Sequence, residues 1–375
     1  MVTLVGDEGD FANANWQDIN PGGNMHGTAI HEIGHGLGMS HPFPKGESYN
    51  ANELFTQMAY AAFWDKDFIP PYASYSSEVS SISDIEKTVR YGKTNDQIIT
   101  QYWIKQPNWG RDDILTLGFL YGLRENYNSD DTVYSWTKDE NIFESIHDMG
   151  GTDTIDLSNY DWNMDVDLNP GAVSEVGVGQ ERLHWNNYAG EKTGDVFVLS
   201  WNTVIEKYIG SSGNDDVTLN TSVINDVSTG AGDDVIRDVL PTDIVSTGAG
   251  ADTVYISYTT LDPDTSVSID GGSETSDFDW IVCDLAPDTE KDFTLCRTAF
   301  VNFEGFDFTD NEKQTITLDS EDFVSINSQT LSIKGDSTDE VVLPEGATET
   351  RSDDTYVYYS LNDVEIAISD DMMIG

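Results

Sequence analysis

Apolar and polar positions change rhythm several times along this chain, and the clearest rhythm lies between residues 210 and 254. Gly210-Ser211-Ser212-Gly213-Asn214-Asp215-Asp216-Val217 recurs as Thr229-Gly230-Ala231-Gly232-Asp233-Asp234-Val235-Ile236 and as Thr247-Gly248-Ala249-Gly250-Ala251-Asp252-Thr253-Val254. Each block is a glycine turn running into a short strand, the nonapeptide pattern of a parallel β-roll. Asp215, Asp234 and Asp252 stand 19 and 18 residues apart, two nonapeptides each, so one block predicts one full coil. The alternate nonapeptides are degenerate: Asn225-Asp226 and Asp243-Ile244-Val245 keep the strand residues and lose the glycines. Hairpin turns in an antiparallel sheet are the competing reading, and the fixed period argues against them. Further on, Gln314–Leu318, Leu331–Gly335 and Thr355–Tyr359 alternate at period two, with turns roughly every 8 to 12 residues, which predicts a β sandwich or an extension of the roll.

Near the start the rhythm becomes helical. His31-Glu32-Ile33-Gly34-His35 sets two imidazoles four positions apart, on one face and one turn of a helix. Gly38 ends that helix, and Gly36 and Gly38 permit the positive φ that turns the chain back towards His41. Three neutral nitrogen ligands leave a fourth position open, the donor set of a catalytic Zn2+ site, and Glu32 lies beside it as a general base. The ordinary alternative, surface or core histidines on an amphipathic helix, suits a bare HExxH better than the extended HExxHxxGxxH spelled here.

Charge narrows the partners. The 375 residues carry 68 Asp plus Glu against 18 Lys plus Arg, a net charge of −50, which repels nucleic acid and anionic membranes. Carboxylates beside glycine turns call for a divalent cation to offset their repulsion, and oxygen ligands favour calcium, with adaptation to salty water a compatible second cause. Three intact turns enclose two gaps, so about two calcium ions are expected on that edge, held by Asp215, Asp234 and Asp252 with the neighbouring Gly210, Gly213, Gly230, Gly232, Gly248 and Gly250. The opposite edge is expected to be metal-poor. An apolar content of 38% suffices for two or three domains with a core. No signal peptide or membrane-spanning stretch is legible, and Cys283 and Cys296 leave pairing open.

Downstream of the histidines, Phe55-Thr56-Gln57-Met58-Ala59-Tyr60 resembles the methionine turn of the metzincins, and of the serralysins in particular. The resemblance covers about residues 24–255. It rests also on Asp112-Asp113-Ile114, Leu120-Tyr121-Gly122, Asp131-Thr132-Val133-Tyr134, Asp148-Met149-Gly150-Gly151-Thr152-Asp153-Thr154, Asp167-Leu168-Asn169 with Gly171 and Ser174, and Val204-Ile205-Glu206 running into Gly210. It implies His31, His35, His41 and, at rest, Tyr60 as zinc ligands, with Glu32 as the base and Tyr60 stabilising the oxyanion. It further implies junction calcium at Asp131, Asp148, Gly150 and Asp153, and another calcium near Glu206. Two departures stand out. Asn128-Ser129-Asp130-Asp131 replaces the family's Arg-x-Gly-Asp, and only 30 residues precede His31, so the family's upstream sheet is missing and the chain reads as N-terminally truncated. The region 61–111 is also longer than its family equivalent.

The expected fold is therefore an α+β zincin-type protease domain, partial, over 1–123, a calcium-binding β-roll with sandwich elements over 124–258, and a C-terminal β region over 259–375. The tail Ser369-Asp370-Asp371-Met372-Met373-Ile374-Gly375 resembles the uncleaved signal of type I secretion substrates. The expected function is a secreted, monomeric zinc metalloendopeptidase acting on proteins or peptides, exported by type I machinery. The alternatives are a proteolytically inactive calcium-loaded roll or adhesin that keeps a zinc site, and an acidic structural protein without metal.

Overall fold

The computed structural model describes residues 30–31, 33–40, 74–75, 89–94, 97–101, 109–123, 127–138, 142–178, 185–186, 192–193, 195–256, 268–272, 277–283, 291–294, 300–309, 313–320 and 330–375. Two compact units emerge: Met1–Asp130 with Lys138–Gly151 and Pro170–Val204, and Asp131–Thr137 with Thr152–Asn169 and Ile205–Gly375.

In the first unit a helix spans Arg111–Tyr121. Its N-terminus is fixed by Asp113, 2% exposed, which accepts the Gly110 N–H at 3.0 Å. That bond satisfies one of the donors a helix start leaves open. Arg111 lies over the Trp201 ring, 4.7 Å from its centroid. Strand Asp195–Leu199 is buried along its whole length, as the run Val-Phe-Val-Leu demands. It pairs antiparallel with Val173–Val176 and parallel with Phe143–Ile146. Within the region 61–111, Val89–Thr94 and Gln97–Gln101 form an antiparallel pair that Ser74–Tyr75 joins.

The second unit is a coil of parallel strands. One sheet runs Val133–Ser135, Thr154–Asp156, Lys207–Ile209, Asp226–Ala231, Ile244–Ala249, Ser268–Asp270 and Phe300–Val301, every neighbour parallel. The facing ladder runs Met164–Asp167, Asp215–Thr218, Val235–Val239, Thr253–Ile256, Trp280–Cys283, Gly305–Asp307, Leu331–Lys334 and Val364–Ser369. Inward positions fall in register. Val166, Val217, Ile236, Val254, Ile281, Phe306, Ile333 and Ile368 stand opposite one another in turn, each 0% exposed. At roughly 1.5–3 kcal/mol per buried aliphatic side chain, this single column is a major source of stability.

Beyond residue 256 the same ladder continues, so the C-terminal strands extend the roll. A four-stranded parallel sheet of Lys291–Thr294, Gln314–Thr317, Glu340–Val342 and Met373–Ile374 accompanies them. Two antiparallel strands, Tyr356–Leu361 and Thr348–Ser352, close the far end of the long ladder. The acidic-apolar tail is ordered within this architecture: Met373–Ile374 is a strand, and Gly375 N–H bonds Val341 O at 2.9 Å.

Candidate metal sites

Residues 30–31 and 33–36 are helical, and the helix ends in a Schellman turn. Met39 N–H reaches Gly34 O at 3.0 Å and Gly38 N–H reaches His35 O at 3.0 Å, with Gly38 at φ +89°. This is the 6→1 and 5→2 pair expected when a glycine takes the left-handed position after a helix. Gly36 stays helical, so the positive φ expected at both glycines occurs at Gly38 alone. The His31 and His35 rings lie 4.9 Å apart, centroid to centroid, and perpendicular. His35 Nδ1 donates to Met39 O at 3.0 Å. The ring is thereby fixed in the tautomer that leaves Nε2 as an acceptor, the support metal-ligating histidines generally receive. These two histidines fit zinc. Glu32, His41 and Tyr60 lie outside the described residues.

In the roll, the glycine turns stack so closely that a side chain has no room. A Cβ on Gly230, Gly232, Gly248 or Gly250 would strike the carbonyl oxygen of Ser211, Gly213, Gly230 or Gly232 respectively. Each turn thus presents carbonyl oxygens to its neighbour. At the end of each turn a buried carboxylate accepts a backbone N–H from the coil before. Asp215 N–H bonds Asp234 Oδ1 at 2.8 Å, Asp234 N–H bonds Asp252 Oδ1 at 2.8 Å, and Asp252 N–H bonds Asp279 Oδ1 at 2.8 Å. Asp279 N–H then bonds Glu304 Oε2 at 3.0 Å.

The second oxygens differ among these rungs. Asp215 Oδ2 accepts Ser211 N–H at 2.8 Å and Tyr208 O–H at 3.1 Å, and its Oδ1 accepts Ser211 O–H at 2.9 Å. Oδ2 of Asp234 and of Asp252 is buried and accepts no hydrogen bond. An acceptor left so is costly, more so when charged. Burial accordingly pushes Asp234 and Asp279 up to about 7 and Asp215 to about 6, and raises Asp252 as well. Tyr208 is raised well above its usual value by burial and by the Asp215 charge. Among the described residues no three His, Cys, Asp or Glu side chains are placed to hold a metal ion. A cation here would need a carboxylate oxygen together with turn carbonyls. Orphaned carboxylate oxygens beside stacked carbonyls fit a hard cation such as calcium.

On the opposite edge Asp243 is well supplied with donors, while Asn225 Oδ1 and Asn220 Nδ2 are buried without a hydrogen bond. Asp243 Oδ1 accepts Asn225 N–H at 2.8 Å and Asn225 Nδ2 at 3.0 Å, and its Oδ2 accepts Leu240 N–H at 2.8 Å. Its two oxygens have three N–H donors between them.

The remaining acidic candidates divide between the units. In the first, Asp148 accepts Asn128 Nδ2 at 2.8 Å and Gly150 N–H at 3.3 Å. His147 beside it is stacked on Tyr127, centroids 5.1 Å apart, and burial lowers its pKa against the pull of Asp148. In the second, Asp131 accepts Thr152 N–H, Asp153 accepts Thr132 N–H, and Glu206 accepts Asp153 N–H, each at 2.8 Å. These three act as rungs between coils.

Sequence reading missed Asp279, Glu304 and the pair Tyr208–Ser211. Asp279 stands before Trp280-Ile281-Val282 as Asp252 stands before Thr253-Val254-Tyr255. Its turn glycines, Gly271 and Gly272, lie too far upstream for the nonapeptide to be recognised.

Comparison with known proteins places residues 112–373 in the family described as Peptidase M10 serralysin C terminal. Serralysin C of Dickeya chrysanthemi is 32% identical over 218 residues, 54% of this chain and 38% of that protein. Metalloprotease AprA of Pseudomonas entomophila is 30% identical over 218 residues, 54% of this chain and 39% of that protein. Serralysin of Photorhabdus luminescens is 31% identical over 212 residues, 53% and 37% respectively. The matched stretch is thus under two fifths of each relative.

Proposed function

Because the chain belongs to the serralysin C-terminal family of the M10 peptidases, we propose that it is a zinc metalloendopeptidase whose β-roll is held by calcium and which acts on proteins outside the cell. The observation that carries the zinc reading is the Nδ1 bond of His35 to Met39 O, which leaves Nε2 as the ring's acceptor beside His31. His31, His35 and His41 would hold the ion, joined at rest by Tyr60. Zinc when bound polarises a carbonyl and acidifies water towards a pKa of roughly 7. The chain's own groups do the rest: Glu32 accepts the proton of the attacking water and delivers it to the leaving amine. Tyr60 donates a hydrogen bond to the oxyanion, a contribution on the order of 3 kcal/mol.

Extracellular location and type I export are part of the same proposal, supported by calcium-type turns and the acidic-apolar tail. No helix among the described residues is long and apolar enough to cross a membrane. The test is casein hydrolysis with zinc analysis. Activity that chelator abolishes and Glu32→Ala destroys, at a zinc stoichiometry near one, is expected. Tyr60→Phe should slow turnover more than it weakens zinc binding. A chain that binds zinc and calcium and cleaves nothing would instead be a calcium-loaded roll without protease activity.

A further inference from the structure

A second helix reaches the turn that ends the histidine helix. Tyr121, the last residue of the helix Arg111–Tyr121, donates its hydroxyl proton to Leu37 O. Leu37 C=O and Gly38 N–H belong to one peptide plane, and that N–H donates to His35 O at 3.0 Å. The plane is therefore held on both sides, its N–H by the histidine helix and its carbonyl by a side chain 84 residues further along the sequence. A helix end leaves its last carbonyls without N–H partners, and Tyr121 serves one of them.

The orientation of this plane fixes how the chain leaves the helix through Gly38, at φ +89°. It thereby sets the position of Met39, whose carbonyl bonds His35 Nδ1 at 3.0 Å. Tyr121 lies close to the turn, its hydroxyl oxygen 4.0 Å from where a Gly38 Cβ would stand. The helix that carries Tyr121 is anchored at its other end. Arg111 N–H donates to Ser145 Oγ at 3.1 Å, the Arg111 guanidinium donates to Gly171 O, and Trp201 Nε1–H donates to Asp112 at 3.3 Å. Ser145 lies in strand Phe143–Ile146 and is 4% exposed. Eleven helical residues, at about 1.5 Å each, span roughly 16 Å from that buried strand to the histidine turn.

We propose that Tyr121 is a positioning residue of the zinc site: its hydroxyl fixes the Leu37–Gly38 peptide, through it the Met39 carbonyl, and so the ring of His35. This rests on the zinc reading above, and the experiment separates the two. Losing the direct partner of a metal-ligating histidine costs roughly 10–100-fold in affinity. Tyr121 acts one step further out, and water competes for an exposed acceptor, so the loss in Tyr121→Phe is expected to be about three- to tenfold. Zinc affinity is measured on the full-length protein by competition with a chelator. The visible band of the cobalt-substituted protein, which senses ligand geometry, should change in position or intensity. The urea midpoint of the zinc-free protein should stay at the wild-type value, because Tyr121 is 65% exposed and phenylalanine keeps its ring. Phe119→Ser, on the same helix at an 89% exposed position, should keep both the zinc affinity and the cobalt band.

Tyr121→Phe with the zinc affinity and cobalt band of the wild type overturns the proposal and leaves the zinc reading standing. So does a loss of zinc affinity in Phe119→Ser as large as that in Tyr121→Phe, because the helix and not the hydroxyl would then be responsible. A loss in Tyr121→Phe that a lowered zinc-free midpoint accounts for in full overturns it too, since the tyrosine would then only stabilise the fold. A wild type that binds no zinc overturns both readings.

Discussion

At the scale of single residues, Gly36 and Gly38 are two positions apart and have opposite requirements. Gly38 sits at φ +89° in the Schellman turn, where a side chain costs about 1–2 kcal/mol through contact with its own backbone. Gly36 is helical, and a Cβ there would meet nothing within 4 Å, so alanine removes unfolded-state freedom at no steric cost and stabilises by about 0.4–1 kcal/mol. Gly38→Ala should therefore lower the urea midpoint and weaken zinc binding, because the turn places the Met39 carbonyl that holds His35. Gly36→Ala should raise the midpoint slightly and leave zinc affinity as it is. A Gly38→Ala variant with wild-type midpoint and zinc affinity would show that the turn does not position the histidine.

At the scale of elements, the roll is held by columns of inward side chains, and Phe306 is the largest member of its column. It is fully buried between Ile281 and Ile333 and meets Phe300 edge-on at 5.5 Å. Phe306→Ala should cost about 3–5 kcal/mol, read as a shift in chemical denaturation, with secondary structure retained in the absence of denaturant. This column also shows what was legible beforehand. Strands over 314–318 and 331–335 were evident from alternation, since each buries every second residue, and the coil over 210–254 was evident from its period. Whether the C-terminal strands formed a sandwich or continued the roll was not, because both arrangements bury the same alternate positions. Register decides between them, and register is a property of neighbouring coils that no single strand encodes. The same limit hid Asp279: the nonapeptide names the glycines and the acid, whereas the need for a cation depends on which N–H groups reach the second oxygen. For Asp215 that need is answered by Tyr208, just ahead of the repeat, and by Ser211, which stands where the repeat has its second glycine, and the pattern speaks for neither hydroxyl.

At the scale of the whole molecule, the net charge of −50 and the buried carboxylate rungs make stability depend on protons when calcium is withdrawn. Asp234 and Asp279 are pushed to about 7 and Asp215 to about 6, with Asp252 raised too, in each case chiefly by burial. In the unfolded chain such groups titrate near about 3.9. A carboxyl whose pKa is higher when folded binds its proton more tightly in the folded state, so its penalty is fully present above pH 7 and shrinks as pH falls towards 4. His147, lowered by burial, acts in the opposite sense below its ordinary value of 6.5. So do Asp353 and Glu365, lowered by their hydrogen bonds, at more acid pH, whereas burial raises Asp165 as it does the rungs. Relief of the general self-repulsion adds to the carboxylates. Chelated protein should therefore melt at a higher temperature at pH 5 than at pH 8. Calcium should reverse that order, because it binds the ionised rungs, competes with their protons and stabilises the folded chain by mass action only where they are charged. Melting curves at pH 5, 6.5 and 8, with calcium and with chelator, give the check. A calcium-induced rise in melting temperature that is as large at pH 5 as at pH 8 would mean that the ion is held by carbonyls and surface carboxylates, and that the buried rungs stay protonated when it binds.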